Sequence, residues 1–169
     1  MSDLILDTNV LGEFFEQFFD SSKANRGFGE FVSGRFLSNA AASEINRVVR
    51  SFRRRGDITG GIIVISSFGF VELFRKWDQI SGGLLDLQKL RGVLEQPPDW
   101  LSIAPLDETL IPSFFEVPTH VFLASGFKAV DWTDAVHVAT ALSRGDGHRI
   151  ATTDEVIWSL NMQSRVRCL

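Results

Sequence analysis

Short aliphatic runs bounded by polar or glycine residues alternate along the chain with stretches whose apolar positions recur at helical spacing. The runs are Leu4-Ile5-Leu6, Ile62-Ile63-Val64-Ile65, Leu101-Ser102-Ile103-Ala104 and Arg149-Ile150-Ala151, and their length and branching predict a strand at each. A fifth strand is expected at Val166 to Leu169. Between the runs, Leu11, Phe14, Phe15, Phe18 and Phe19 share one helical face, as do Ile45, Val48, Val49 and Phe52. Further helices are predicted by Phe70, Leu73, Phe74 and Trp77, by the segment Leu84 to Leu94, and by Ala135, Val138, Ala139 and Leu142. Pro97-Pro98 should end a helix ahead of the third strand, and Pro112 and Pro118 should interrupt the segment after it. The region from Ser21 to Ser38 has neither period and reads as a loop. Strands alternating with helices imply an α/β fold with a central, mostly parallel sheet of four to five strands.

In an open parallel sheet, ligands bind outside the carboxyl ends of the strands, so the polar residues expected there matter most. They are mostly carboxylates. Asp7 ends the first strand, Glu72 falls in the first turns after the second, and Asp154 follows the last in Ala151-Thr152-Thr153-Asp154. Asp134 opens the helix before that strand. Like charges converging in one crevice repel one another and raise pKa values unless a multivalent cation neutralises them. Oxygen-only ligands without histidine or cysteine favour Mg2+ or Mn2+ over zinc.

Composition changes this picture little. A chain of 169 residues with 44% hydrophobic content suits one domain spanning 1–169 with one sizeable core. No run approaches the length of a membrane span, and charged residues follow the first methionine closely, so a soluble, unprocessed chain is expected. Cys168 is the one cysteine, which excludes an intrachain disulfide and is compatible with the cytoplasm. The formal net charge of −4 offers no global attraction to nucleic acid. A local attraction could come from Arg53-Arg54-Arg55, preceded by Arg47 and Arg50, although a helix C-terminus favours such charges anyway.

Leu6-Asp7-Thr8-Asn9-Val10-Leu11, Ser67 to Lys76 with Glu72, Asp134 to Leu142, and Thr152-Thr153-Asp154 resemble, in order, the acidic motifs of the PIN-domain family, most of all its VapC-like toxin nucleases. The resemblance runs nearly end to end, with a departure in the long arginine-rich stretch between the first two strands. It implies a three-layer α/β/α sandwich and a metal-dependent endoribonuclease, a hydrolase leaving a 5′-phosphate, with Asp7, Glu72, Asp134 and Asp154 as catalytic and metal-holding residues. It also implies an RNA substrate, a cognate antitoxin and a homodimer. The metals would polarise a phosphoryl oxygen and stabilise the leaving oxygen, with water as nucleophile. An arginine from the partner could replace the cation's charge among Asp7, Glu72 and Asp134. The phenylalanine-rich helix from Val10 to Phe19 and the helix with Phe70 and Phe74 are candidate docking faces, so far as the core leaves them free.

Other roles compete at several of these positions. Asp7 suits a helix N-cap, and Asp131 competes with Asp134 for the third acidic position; the Asp134-Ala135 pairing of the family-like motif favours Asp134. Thr8, Asn9, Asp131 and Thr153 are expected around the acids, orienting carboxylates or serving as turn and cap residues. His137 lies one helical turn after Asp134 and is expected to be structural or solvated. Trp132 is more suited to packing than to stacking on a base. Two rival functions are a haloacid-dehalogenase-type phosphatase, against which Asn9 stands where that family places a second aspartate, and a non-catalytic PIN-like binding module.

Overall fold

The computed structural model of the protein describes residues 2–20, 30–80, 86–145, 148–160 and 167–169, the side chains of 78–80 excepted. Along the chain run β1 (Leu4–Leu6), α1 (Thr8–Phe19), α2 (Asn39–Arg55), β2 (Ile63–Ser66), α3 (Ser67–Ile80), α4 (Leu87–Glu95) and β3 (Leu101–Ala104). A 3-10 turn (Glu108–Leu110) then leads into α5 (Ile111–Phe114), β4 (His120–Leu123), β5 (Gly126–Ala129), α6 (Trp132–Leu142), β6 (Arg149–Ala151), α7 (Glu155–Leu160) and β7 (Arg167–Cys168). Among the described residues, five strands form a wholly parallel sheet in the order β3-β2-β1-β6-β7, and β4 pairs with β5 as a separate antiparallel hairpin.

The alternation of side chains along a strand divides the core in two. Leu4, Leu6, Ile63 and Ile65 point to one face, where they meet Phe14 and Phe15 of α1, Ile45 of α2, Leu73 of α3 and Leu90 of α4. Ile5, Val64 and Ile150 point to the other, against Val138 and Ala141 of α6 and Val156 and Leu160 of α7. Apolar packing on both sides of one sheet makes a three-layer α/β/α sandwich. It also explains why the central strands read as unbroken aliphatic runs rather than alternating ones.

This connectivity positions the site. From β1 the chain moves outward to β2 and β3 under one set of helices, then returns to β6 and β7 under the other. The direction reverses between β1 and β6, so a crevice opens outside their carboxyl ends. The Asp7 N–H donates to the Ala151 carbonyl at 3.1 Å and ties the two strand ends together there.

Several details differ from the expectations. The second strand is shifted one residue, to Ile63–Ser66, and the fourth helix starts at Leu87, its expected Leu84 and Leu85 lying outside the described residues, as does Val166 of the fifth strand. Pro112 opens the short helix α5 rather than breaking one, because a first-turn proline gives up no helical hydrogen bond. The hairpin β4–β5 is not among the expected elements: Val121 is buried and Leu123 packs against the same core, but Phe122 and Phe127 are 80% and 71% exposed, so apolar residues also fill its outward positions and mask the alternation. Of the expected docking faces, that of α1 is largely consumed by the core, since Phe14 and Phe15 are buried and Phe18 and Phe19 pack against them, whereas on α3 Phe70 is buried and Phe74 is exposed.

Candidate functional site

Asp7 serves at once as helix cap and as cavity wall. Its backbone is extended (φ −73°, ψ 171°), and Oδ1 accepts the Val10 N–H at 2.9 Å, capping α1. The Thr152 hydroxyl donates to Oδ2. Asp7 is only 4% exposed, and burial pushes its pKa up to about 6; the Thr152 and Val10 hydrogen bonds oppose this, while the Asp154 charge adds to it.

Glu72 stands on α3, which approaches α6 closely through Gly69. A Cβ at Gly69 would lie 3.2 Å from His137 Cε1 and 3.1 Å from Ser66 Oγ, so a side chain there would require one of these side chains to give way by a few tenths of an ångström. Glu72 accepts hydrogen bonds from the Thr8 hydroxyl and from Lys76, one turn further along the same helix. Burial alone would raise its pKa, but these hydrogen bonds and the lysine charge outweigh burial and hold it below the ordinary glutamate value. His137 is buried, with Nε2 3.3 Å from the Thr8 hydroxyl and Nδ1 without a hydrogen-bond partner among the described residues. Burial lowers its pKa to about 4 against the pull of Glu72, which makes it a neutral ring. With Thr8 donating to Glu72, the arrangement calls for the tautomer protonated at Nε2.

Asp131 and Asp134 both border the cavity and differ in their place on α6. Asp131 is the N-cap of α6, accepting the Thr133 N–H at 3.1 Å, and Asp134 occupies the first turn of that helix. Burial raises the Asp134 pKa to about 7, with further contributions from the charges of Asp154, Asp131, Asp7 and Glu72. Asp134 thus collects the repulsion of the whole acidic group. Asp154 caps α7 through Oδ1, which accepts the Val156 N–H at 2.7 Å, while its own N–H donates to Thr152 Oγ1 at 2.9 Å.

Asp7, Glu72, Asp134 and Asp154 line one open cavity of about 350 Å³, which Asp131 and Asn9 also border. Among the expected surrounding residues, Thr8 bonds to Glu72 as anticipated. The role expected of Thr153 falls instead to Thr152: Thr153 is exposed, whereas buried Thr152 joins Asp7 to Asp154. Sequence reasoning also missed two cavity-lining cations. Lys76 is legible in principle as the i+4 neighbour of Glu72, but Lys128 arrives on the hairpin, beyond the reach of local spacing. Lys128 also lies 3.5 Å from Glu155.

Among the described residues, no three histidine, cysteine or acidic side chains stand in a ready-made metal-holding arrangement. Glu72 accepts from Thr8 and Lys76, and Asp7 and Asp154 each accept from a helix N-terminus. The donor chemistry nevertheless fits a hard divalent cation. It is anionic, oxygen-only and mutually repulsive, with the burden concentrated on Asp134.

The arginine cluster lies elsewhere. Arg47, Arg50, Arg54 and Arg55 border a separate cavity of about 500 Å³ with Thr59 and Gly60, just ahead of β2. The neighbouring Gly61 abuts the Ser2 carbonyl, ahead of β1, and Glu44 pairs with both Arg47 and Arg149, the first residue of β6. These arginines therefore gather at the amino-terminal edge of the sheet, opposite the acidic cavity.

No family model matches the chain, and no curated protein or solved structure matches it either. The class defined by fold and site is an α/β/α sandwich with an acidic cavity at its topological switch point.

Proposed function

We propose that this chain is a ribonuclease of the PIN-domain type, dependent on Mg2+ or Mn2+ and hydrolysing RNA phosphodiester bonds. One observation carries the reading: four carboxylates from separate parts of the chain border a single cavity outside the carboxyl ends of β1, β2 and β6. Asp7, Glu72, Asp134 and Asp154 would hold the cation, which when bound supplies Lewis-acid stabilisation of the phosphoryl and leaving oxygens. The other parts of the mechanism belong to the chain. Thr152 and Thr8 orient Asp7 and Glu72 through their hydroxyls. Lys76 and Lys128 offer positive charge to the phosphates beside an otherwise repulsive wall. Asp134, on which the repulsion of the other carboxylates falls, gains most from a cation that neutralises them. The oxygen of a water molecule forms the new bond to phosphorus, the bond to the 3′ oxygen breaks, and that oxygen takes up a proton, leaving a 5′-phosphate.

In this reading the chain is the cytoplasmic toxin of a toxin–antitoxin pair, a homodimer restrained by a cognate antitoxin whose arginine enters among Asp7, Glu72 and Asp134. Among the described residues no helix is long and apolar enough to cross a membrane.

Asp7→Asn tests the chemistry with little risk to the fold, because asparagine caps a helix about as well as aspartate. Purified protein should cut RNA in magnesium or manganese and stop on chelation, and the substitution should lower kcat/KM by at least about a hundredfold. Cleavage that survives chelation or Asp7→Asn would refute the mechanism. Turnover of small phosphomonoesters through an aspartyl-phosphate would point to the dehalogenase-type reaction instead.

A further inference from the structure

A second cavity, of about 600 Å³, adjoins the acidic one. Phe68, Val71, Arg75 and Trp132 line it, and it shares Glu72 and Lys76 with its neighbour. Phe68 is in the first turn of α3 and Trp132 is the first residue of α6, so the approach of the two helices brings the rings together. Their centroids are 4.4 Å apart with planes inclined at 55°. Trp132 is nonetheless 60% exposed and Val71 56% exposed, two residues and one residue from Asp134 and Glu72 respectively.

We propose that this cavity takes one unpaired nucleobase of single-stranded RNA, stacked on Trp132, with Arg75 and Lys76 meeting the adjoining backbone phosphates. The inference rests on the ribonuclease reading and specifies which form of RNA the site accepts. An indole held by Phe68 and open on its outer side is a flat apolar surface organised before ligand arrives, and every base has a face to stack on it. The nearby cations match a polyanionic strand and offset the repulsion that the carboxylates would exert on it. A base within a duplex already has its faces stacked and its edge paired, so an unpaired nucleotide enters at lower cost. Continuity between the cavities then sets the base beside the bond to be cut.

The test measures binding of a short single-stranded RNA in chelator by fluorescence anisotropy, using an intact oligonucleotide and a set with one abasic nucleotide moved along the strand. Trp132→Ala should weaken binding of the intact strand about tenfold or more, while Trp132→Phe, which keeps a stacking face, should largely restore it. One abasic position should weaken the wild-type protein equally and have no further effect on Trp132→Ala. In magnesium, that position should neighbour the cleaved bond. Circular dichroism of each variant establishes that the fold is retained. The proposal is overturned if the wild-type protein binds no RNA, if Trp132→Ala binds as tightly as wild type, or if abasic sensitivity is the same in both. Loss of affinity for a protein partner alone in Trp132→Ala would also overturn it. Base-dependent binding without cleavage would sustain this site and refute the nuclease reading; cleavage without base-dependent binding would do the reverse.

Discussion

At the residue scale, the site places unlike demands on the same carboxylates. Asp7 and Asp154 each spend one oxygen on a helix N-terminus, which anchors them, and face the cavity as well. Burial and mutual repulsion then make their neighbourhood unfavourable for negative charge, and pKa values of about 6 for Asp7 and about 7 for Asp134 record the result. Both lie above the value of 3.8 for a free aspartate. Between that value and the raised ones, the unfolded chain is ionised while the folded chain still retains protons, so this contribution to stability is complete at low pH and disappears as pH rises through about 6 to 7. Asp7 alone accounts for about 3 kcal/mol by this linkage. The Tm of metal-free protein should therefore carry a component that falls between about pH 4 and about pH 7, and Asp7→Asn should flatten it. Magnesium should raise Tm more at the upper end of that range, where the carboxylates are ionised. Parallel wild-type and Asp7→Asn profiles would contradict this account.

At the scale of elements, the segment 30–38 shows how a stretch without helix or strand is held in place. Glu13 of α1 accepts the N–H groups of Phe36 at 2.5 Å and Leu37 at 2.9 Å. Gln17, one turn further on, exchanges two hydrogen bonds with Val32, and Asn46 of α2 exchanges two with Phe31. These side chains do for the segment what a sheet ladder does for a strand, and the segment in turn fixes α1 behind Asp7. Removing the carboxylate in Glu13→Ala should destabilise the protein by about 1–3 kcal/mol, because two amide groups lose their acceptor in a site largely closed to water. Urea denaturation should show a lower midpoint with an unchanged slope, and Glu13→Gln, which keeps one acceptor oxygen, should fall between. A Glu13→Ala midpoint equal to wild type would show that water replaces the carboxylate. No period of apolar residues marks this tether, since it depends on polar side chains meeting backbone from distant parts of the chain.

At the scale of the whole molecule, the parallel sheet separates charge. The acidic cavity lies outside the carboxyl ends of the strands, and the arginine cavity at their amino-terminal edge. Strands of three to four residues stand between them, a separation of about 10–13 Å at ordinary strand rise. Under the proposed function, the arginines act on RNA only where a strand is long enough to reach from one edge to the other. Replacing Arg54 and Arg55 by glutamine should then weaken binding of a long RNA and flatten its salt dependence, while cleavage of a hexanucleotide stays within roughly twofold of wild type. Equal losses on both substrates would place the arginines at the cleavage cavity after all.

Much of this architecture is legible in the amino-acid sequence. The aliphatic runs determine the parallel sheet, because strands covered on both faces need apolar residues at consecutive positions, and Asp7, Glu72, Asp134 and Asp154 stand out through their places after strands or at a helix start. Tertiary structure alone decides which neighbours serve them. Thr152 rather than Thr153 reaches Asp7 because the chain turns one threonine inward and the other to solvent after β6, and Lys128 reaches the cavity only because a hairpin of exposed aromatics folds over to it. The sequence likewise marks the arginines as a possible local attraction for nucleic acid without saying where they lie, and the path of α2 carries them to the edge opposite the acidic cavity. Periodicity records which residues leave water, a property of each segment by itself; which polar groups meet depends on how segments far apart in the chain are brought together.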